Sequence, residues 1–252
     1  RYSPSIERYA NTFVEKGDTG DAYTVLQIQS NGAKSGTGYS DGLNRTGYNT
    51  STVTVAGNPT WLSTVGDPFG GANTALHFNS GDNLEFADTP DFDFSTGTAF
   101  TIECWVKINS ATTTGTMPFI VGNKAGSWTT TSAAGFYVLK SDAGRLRLTV
   151  YPVDVVISKT TISDDQWHHT IIQRDTNNTY QLYVDGVLED SNTTSRVFDF
   201  TIGGSMYIGR NGWDGTSSYL EGSLDQFRMS RGIARYGGAS LRTTQQVVTS
   251  SN

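Results

Sequence analysis

The chain has one cysteine, Cys104, among its 252 residues, so no intrachain disulfide can form. That cysteine stands in the apolar run "FTIECWVK", where a small hydrophobe is expected, and it reads as a buried structural thiol rather than a reactive one. Lack of disulfides does not exclude life outside a cell, because a domain this large can be stable without cross-links. Charge is also scarce: 17% of residues are charged, against about 25% in a typical domain. The formal net charge of −6 argues against nucleic acid and anionic membrane surfaces as partners, since polyanion recognition needs concentrated Lys and Arg. No apolar run approaches the 18 or so residues of a membrane span. Membrane insertion is therefore not expected, while the lack of a signal-peptide core in the opening "RYSPSIERYA" says little about export. Only three histidines are present, and two of them are adjacent in "DDQWHHTIIQRD" (164–175), which limits histidine-dependent chemistry to that neighbourhood. No long segment carries a helical period of 3.6 residues.

Glycine is plentiful, 28 of 252 residues, and Thr, Ser and Asn are common, a composition suited to many turns and short strands. From "AYTVLQIQ" onward apolar residues alternate with polar ones, and turn residues recur every few positions. The clearest strands are "TALHF", "NLEF", "AFTIECWVKI", "GFYVLK", "RLRLTVYP", "WHHTIIQR", "YQLYVD", "MYIG" and "SLDQFRMS". "SDAG" (141–144) and "DTNNT" (175–179) separate neighbouring strands at hairpin lengths. "VDGV" (184–187) carries the Asp-Gly pair that tolerates the positive φ angles of a type I′ turn. The pattern predicts a run of antiparallel hairpins over 136–190.

No repeat or composition break divides 22–238, so one β-sandwich is expected there. Residues 1–21 read as a polar N-terminal arm or linker, and 239–252 as a C-terminal tail. The arm ends in "KGDTGDA", but two Gly-X-Y triplets cannot hold a collagen triple helix. The stretch from Ser30 to Thr74 is long for a connection and is expected to contain short strands or a surface-wrapping loop.

Four blocks in order carry a family resemblance: "ALHFNSGDNLEFADTPDFDF", "FTIECWVK", "DDQWHHTIIQRDTNNTYQLYVDGVLED" and "MYIGRNGWDGTSSYLEGSLDQFRMSRGIARY". Together they resemble the laminin-G-like group of concanavalin A-like jelly rolls, which includes pentraxins and legume lectins. The resemblance implies an all-β fold, an antiparallel two-sheet jelly-roll sandwich. More narrowly, "DFDFSTGTAFTIECWVKI" and "RMSRGIARY" are similar to versions of this domain in bacteriophage virion and tail proteins.

In "FTIECWVKI" the alternation places Phe100, Ile102, Cys104, Val106 and Ile108 on one face and Thr101, Glu103, Trp105 and Lys107 on the other. The same geometry sends His168 and His169 to opposite faces of their strand, so the pair cannot ligate one metal. Asp164 and Asp165 are expected in the preceding turn and Trp167 in the core. No "GxSxG" elbow is present. None of the glutamates is followed two positions later by Asp, as the laminarinase-type Glu-x-Asp-x-x-Glu strand requires, and the Arg-(Ser/Thr)-Glu-Leu-Arg strand of jelly-roll alginate lyases is missing. The chain is therefore expected to be no enzyme, with no catalytic residues. A polysaccharide-degrading jelly roll is the third reading.

Pentraxin-like relatives hold calcium between loops at one edge of the sandwich. By position the resemblance implies Asp142, Asn211 and Asp214 as counterparts, an oxygen set that suits Ca²⁺. The same residues are also ordinary turn formers beside Gly144, Gly212 and Gly215, and both readings stand. For ligand binding the candidates are Trp128, Trp213 and Tyr219, aromatics in glycine-rich polar loops where sugars can stack. Subunit contact and plain packing remain alternatives for the tryptophans. The leading expectation is a non-enzymatic protein on a virion surface or other extracellular assembly, serving adhesion, glycan binding or structural decoration. Its partners would be other copies of itself, other virion or fibre proteins, or a cell-surface glycan. The alternative is a secreted carbohydrate-binding module, adhesin or extracellular fibre subunit.

Overall fold

The computed structural model describes residues 23–28, 36–37, 53–62, 68, 75–95, 97–110, 117–123, 134–139, 142–198, 204–212 and 218–237. The expected arm (1–21) and tail (239–252) lie outside them. Among the described residues the chain forms sixteen strands and a single-turn 3₁₀ helix, Pro90–Phe92. In chain order the strands are β1 (Thr24–Ile28), β2 (Gly36–Thr37), β3 (Val53–Ala56), β4 (Thr60–Leu62), β5 (Ala75–Phe78), β6 (Asn83–Ala87), β7 (Phe100–Ile108) and β8 (Phe119–Asn123). They continue with β9 (Ala134–Leu139), β10 (Arg145–Val150), β11 (Val153–Thr161), β12 (Trp167–Arg174), β13 (Thr179–Val184), β14 (Val187–Thr193), β15 (Ser205–Ile208) and β16 (Gly222–Arg231).

The strands form two antiparallel sheets. The first runs β14-β13-β12-β7-β16-β5-β4-β2, with β1 also paired to β16, and the second runs β11-β10-β9-β8-β15-β6-β3. This is the expected jelly-roll sandwich. The hairpins read at 175–179 and 184–187 are present, and Asp185 and Gly186 both take positive φ in the second. The stretch 30–74 contributes β2, β3 and β4, in line with its reading as short strands.

The core lies between the sheets, and the inner residues of β7 fill its centre: Phe100, Ile102, Cys104, Val106 and Ile108 are all fully buried. Burial pushes the Cys104 thiol up to about 12, so it is inert at neutral pH. One expectation fails: Trp167 is not a core residue. Its partner in the ladder is Lys107, on the opposite face of β7 from Val106, so it sits half-buried on the outer side.

Two devices shape the sandwich. On one flank β14 of the first sheet seals the edge of β11 in the second. Asp190 accepts from the Ile157 amide (2.8 Å), and Glu189 accepts from the amides of Lys159 (2.7 Å) and Thr160 (2.9 Å). Carboxylates satisfy edge N–H groups that would otherwise template further strands. In β16 the ladder to β7 shifts between Asp225 and Arg228, and Gln226 between them takes φ of 51°. At this bulge the strand changes its second partner, from β5 at Gly222–Leu224 to β1 at Phe227–Ser230.

Candidate functional site

The outer face of the first sheet carries the family's "FTIECWVK" polar residues, and it is closed. After β16 the chain turns at Gly232, whose amide donates to Ala99 O (2.6 Å), and residues 233–237 cross β7, β12 and β13. Thr101 Oγ1 donates to Ile233 O (3.0 Å) and accepts from the Arg235 amide (3.1 Å). Gln173 holds both backbone groups of Tyr236, donating to its O (2.7 Å) and accepting from its N–H (3.0 Å). Beneath this strap Glu103 accepts from Arg228 on one oxygen and from the Tyr236 hydroxyl on the other. His169 Nε2 lies 3.9 Å from the same carboxylate, and its ring stacks on Trp105 at 5.1 Å. Burial pulls His169 down to about 4, so it is neutral. Glu103 is the residue on this strand best placed for acid–base work, and its charge is committed to the clasp.

The two histidines do occupy opposite faces. His168 lies across from Val106, and its ring nitrogens meet Asp185 Oδ2 (2.8 Å) and Asp164 Oδ1 (3.1 Å). Asp185 also accepts from the His169 amide (2.9 Å). Asp164 and Asp165 sit in the turn as expected, where Asp165 takes positive φ and accepts from the Ser110 amide (3.0 Å). The cluster in "DDQWHH" thus fastens the start of β12 to the β13–β14 turn.

The second sheet presents a different surface. One lateral row of its outer face runs Glu85 (β6), Tyr207 (β15), Gly122 (β8), Gly135 (β9) and Thr149 (β10). The glycines are required there: a side chain on Gly135 would strike the Phe119 ring at 2.1 Å, and one on Gly122 would reach 3.0 Å from the Arg210 carbonyl. At the Tyr207 end of this row the connection from β15 to β16 of the other sheet begins, a loop whose described parts are 209–212 and 218–221. The neck of the loop is closed by Leu220 N–H donating to Gly209 O (2.7 Å), and Gly212 N–H anchors it to Asn123 O of β8 (3.2 Å). Gly209 takes φ of 91°, and a β-carbon there would lie 2.8 Å from the Phe78 ring, so only glycine fits this neck.

On that neck stand Tyr207, Arg210 and Tyr219. The guanidinium carbon of Arg210 lies 4.9 Å from the Tyr207 ring centroid and 5.7 Å from that of Tyr219. Its Nε donates to Asn211 O (2.6 Å), and the Tyr207 hydroxyl donates to Glu85 (3.0 Å). Tyr219 is thus placed in a defined cluster. Trp213, Asp214 and Trp128 lie outside the described residues. Tyr207, Arg210 and Glu85 escape the sequence reading. A loop arginine between two aromatics is the signal that marks them.

Of the implied calcium set, Asp142 and Asn211 are described and lie apart, and Asp214 is outside the described residues. Asp142 is in the β9–β10 turn, where it pairs with Arg145 (2.5 Å) and Arg147 (2.6 Å). Asn211 is fully buried near Asn123, at the far end of β9, because Asn123 accepts from the amide of Ala134, which begins that strand. The six residues of β9 separate them, about 17–20 Å. The hydrogen bond from Arg145, with burial acting against it, holds the Asp142 carboxyl below its usual range. Among the described residues no group of three or more His, Cys, Asp or Glu is placed to hold a metal.

Two stacked antiparallel sheets define the chain as a jelly-roll sandwich, with an aromatic and arginine cluster at one end of the second sheet's outer face. The chain belongs to the laminin-G type of the concanavalin A-like lectin/glucanases superfamily, whose family model matches residues 78–233. No curated protein matches the chain. Among solved structures it is similar to the binding domain of Paraclostridial Mosquitocidal Protein 1, with a TM-score of 0.57 and 15% identity, over 84% of this chain and 50% of that one. It is also similar to the receptor binding domain of the botulinum neurotoxin C/D mosaic serotype, with a TM-score of 0.55 and 13% identity, over 82% and 48% of the two chains. Domain 4 of AbnA, an extracellular arabinanase of Geobacillus stearothermophilus in complex with arabinotriose, matches with a TM-score of 0.50 and 20% identity, over 72% and 82%. The chain spans about half the length of the two toxin domains. At these identities the likeness is one of fold.

Proposed function

We propose that this chain is a non-enzymatic glycan-binding module that uses the 209–221 loop at the end of the second sheet. The observation that carries this is the Tyr207–Arg210–Tyr219 cluster on a glycine-necked loop, in which an amphipathic aromatic surface adjoins a guanidinium on a rigid scaffold. Three acidic groups elsewhere on the sandwich are occupied: Glu103 by Arg228 and Tyr236, Asp154 by Arg147 and Thr149, Asp142 by two arginines. Carboxylates spent on structural pairs are poor candidates for general acid and base, which supports a binding role over a glycosidase. The similar structures, two binding domains and one domain in complex with arabinotriose, support the same reading.

The module acts outside a cell, on a virion surface or an extracellular fibre, beside other copies of itself. An ordered array raises avidity well above the affinity of one copy when several engage together. The resemblance of "DFDFSTGTAFTIECWVKI" and "RMSRGIARY" to phage virion versions supports the virion setting. Calcium, if it serves the loop, would be held by Asn211 and Asp214 rather than by Asp142. Titration calorimetry of the purified chain against a glycan panel tests the binding reading. The expected result is a binding heat for some panel members that Tyr219→Ala abolishes without lowering the melting temperature. Release of shorter sugars from any panel member, or full binding by Tyr219→Ala, would overturn it.

A further inference from the structure

The arginine at the centre of the loop cluster has a feature that a site for neutral sugars does not need. Among the described residues Arg210 forms no ion pair: its Nε is used by Asn211 O, and its guanidinium carbon lies over two tyrosine rings. Arg145, Arg147 and Arg228 of the same sandwich each pair with a carboxylate. Arg174, fully buried, gives its donors to the carbonyls of Phe94, Ser95 and Thr98. The carboxylate nearest to Arg210 in the lateral row, Glu85, accepts instead from the Tyr207 hydroxyl (3.0 Å). Arg210 is therefore partly buried and meets no carboxylate among the described residues, beside a tyrosine that is itself only partly buried.

We infer that the ligand of this loop is an acidic glycan, and that its carboxylate is received by the Nη1 and Nη2 fork of Arg210. This rests on the glycan-binding reading above. A guanidinium whose Nε is fixed and whose plane rests on aromatic faces is oriented before the ligand arrives, so little side-chain entropy is lost when a planar carboxylate docks in two hydrogen bonds. The overall charge of −6 does not oppose this, because screening confines the field to about 8 Å at physiological salt. It does favour one carboxylate held at one arginine over a densely charged polymer held along a basic track. Tyr219 is left to contact the sugar ring.

The test uses matched probes against the full chain: 3′-sialyllactose beside lactose, and polygalacturonate oligomers beside the same oligomers after carboxyl reduction. In at least one pair the carboxylated member is expected to bind roughly tenfold or more tightly than its neutral counterpart, the size of a charge-assisted hydrogen-bond pair. Arg210→Gln should erase that preference while leaving the melting temperature unchanged. Arg210→Lys, which keeps the charge but loses the planar fork, should recover only part of it. Equal affinity for both members of each pair, or a preference that survives in Arg210→Gln, overturns the carboxylate assignment and leaves the binding module standing. Absence of binding to these probes and to a broad neutral panel overturns both.

Discussion

The Tyr236 hydroxyl donates to Glu103 across a sequence separation of 133 residues, joining the segment after the last strand to the strand at the centre of the sandwich. Glu103 is 3% exposed, and its other oxygen receives Arg228, so a buried carboxylate is satisfied from two sides. Through this contact the "FTIECWVK" and "RGIARY" blocks act on each other: the first supplies the buried acceptor, the second the strap that covers it.

Removing one partner of the buried pair should be far more damaging than replacing both. Arg228→Met alone is expected to destabilise the fold by about 3–5 kcal/mol, because the buried Glu103 carboxylate loses its cationic partner. Tyr236→Phe, which removes one hydrogen bond to a charged acceptor, should lose about 1.5–3 kcal/mol. The double variant Glu103→Leu, Arg228→Met should recover most of the first loss. Urea unfolding midpoints for the four proteins check the order, and a double variant as unstable as Arg228→Met would refute it.

Arg174 pins the corner that leads into β7. It is 0% exposed and donates to Phe94 O (2.8 Å), Ser95 O (2.6 Å) and Thr98 O (2.5 Å), with its guanidinium over the Phe100 and Tyr180 rings. Arg174→Leu leaves these carbonyls without donors and should destabilise the chain by at least about 3 kcal/mol. Thermal unfolding measures this, and a change below about 1 kcal/mol would show that water or another donor replaces the guanidinium.

The adjacent histidines should shape opposite limbs of the stability profile. Burial acts to lower His168, but the hydrogen bond and charge of Asp185, then those of Asp164, outweigh it and leave its pKa above 6.5. Its stabilisation is therefore complete below the unfolded value and is lost as pH rises through the raised folded value. His169 is pulled down by burial to about 4, so its contribution is complete above 6.5 and is lost as pH falls from there toward 4. Chemical denaturation from pH 4 to 9 is expected to show His168→Asn flattening the alkaline limb and His169→Phe flattening the acid limb. An alkaline limb unchanged in His168→Asn would mean that the two carboxylates do not hold the ring protonated.

Gly209 sets the neck of the binding loop. Gly209→Ala places a β-carbon 2.8 Å from the Phe78 ring at φ of 91°, a strain of about 1–3 kcal/mol at such positions. The variant should melt lower and bind any glycan ligand more weakly, through misplacement of Arg210 and Tyr219. Normal affinity at reduced stability would separate the neck from the site.

The strands that were legible are those with one buried and one differently used face. In β7 the alternation from Phe100 to Ile108 is complete, and in β12 to β14 the turn residues Asp175 and Asp185 mark the hairpins. Strand β8, "FIVGN", is buried throughout, so it has no alternation to read. Strand β11, absent from the sequence reading, pairs with β10 through two register shifts that break its pattern. Trp167 misleads because a tryptophan at a strand start reads as core, whereas the ladder pairs it with Lys107. Of the site, Tyr219 was legible as an aromatic in a polar loop. Arg210 was not, because a loop arginine ordinarily reads as a solvated charge, and only its seat on two tyrosine rings distinguishes it.

The most direct measurement for the binding loop is amide hydrogen exchange of the full chain with and without a saturating glycan selected from the panel. Protection is expected at Tyr207–Gly212 and Ser218–Leu220, with little change under the strap beside Trp105 and His169. Protection centred on that strap, or at the Asp142 turn with none at the 209–221 loop, would contradict the assignment of the site.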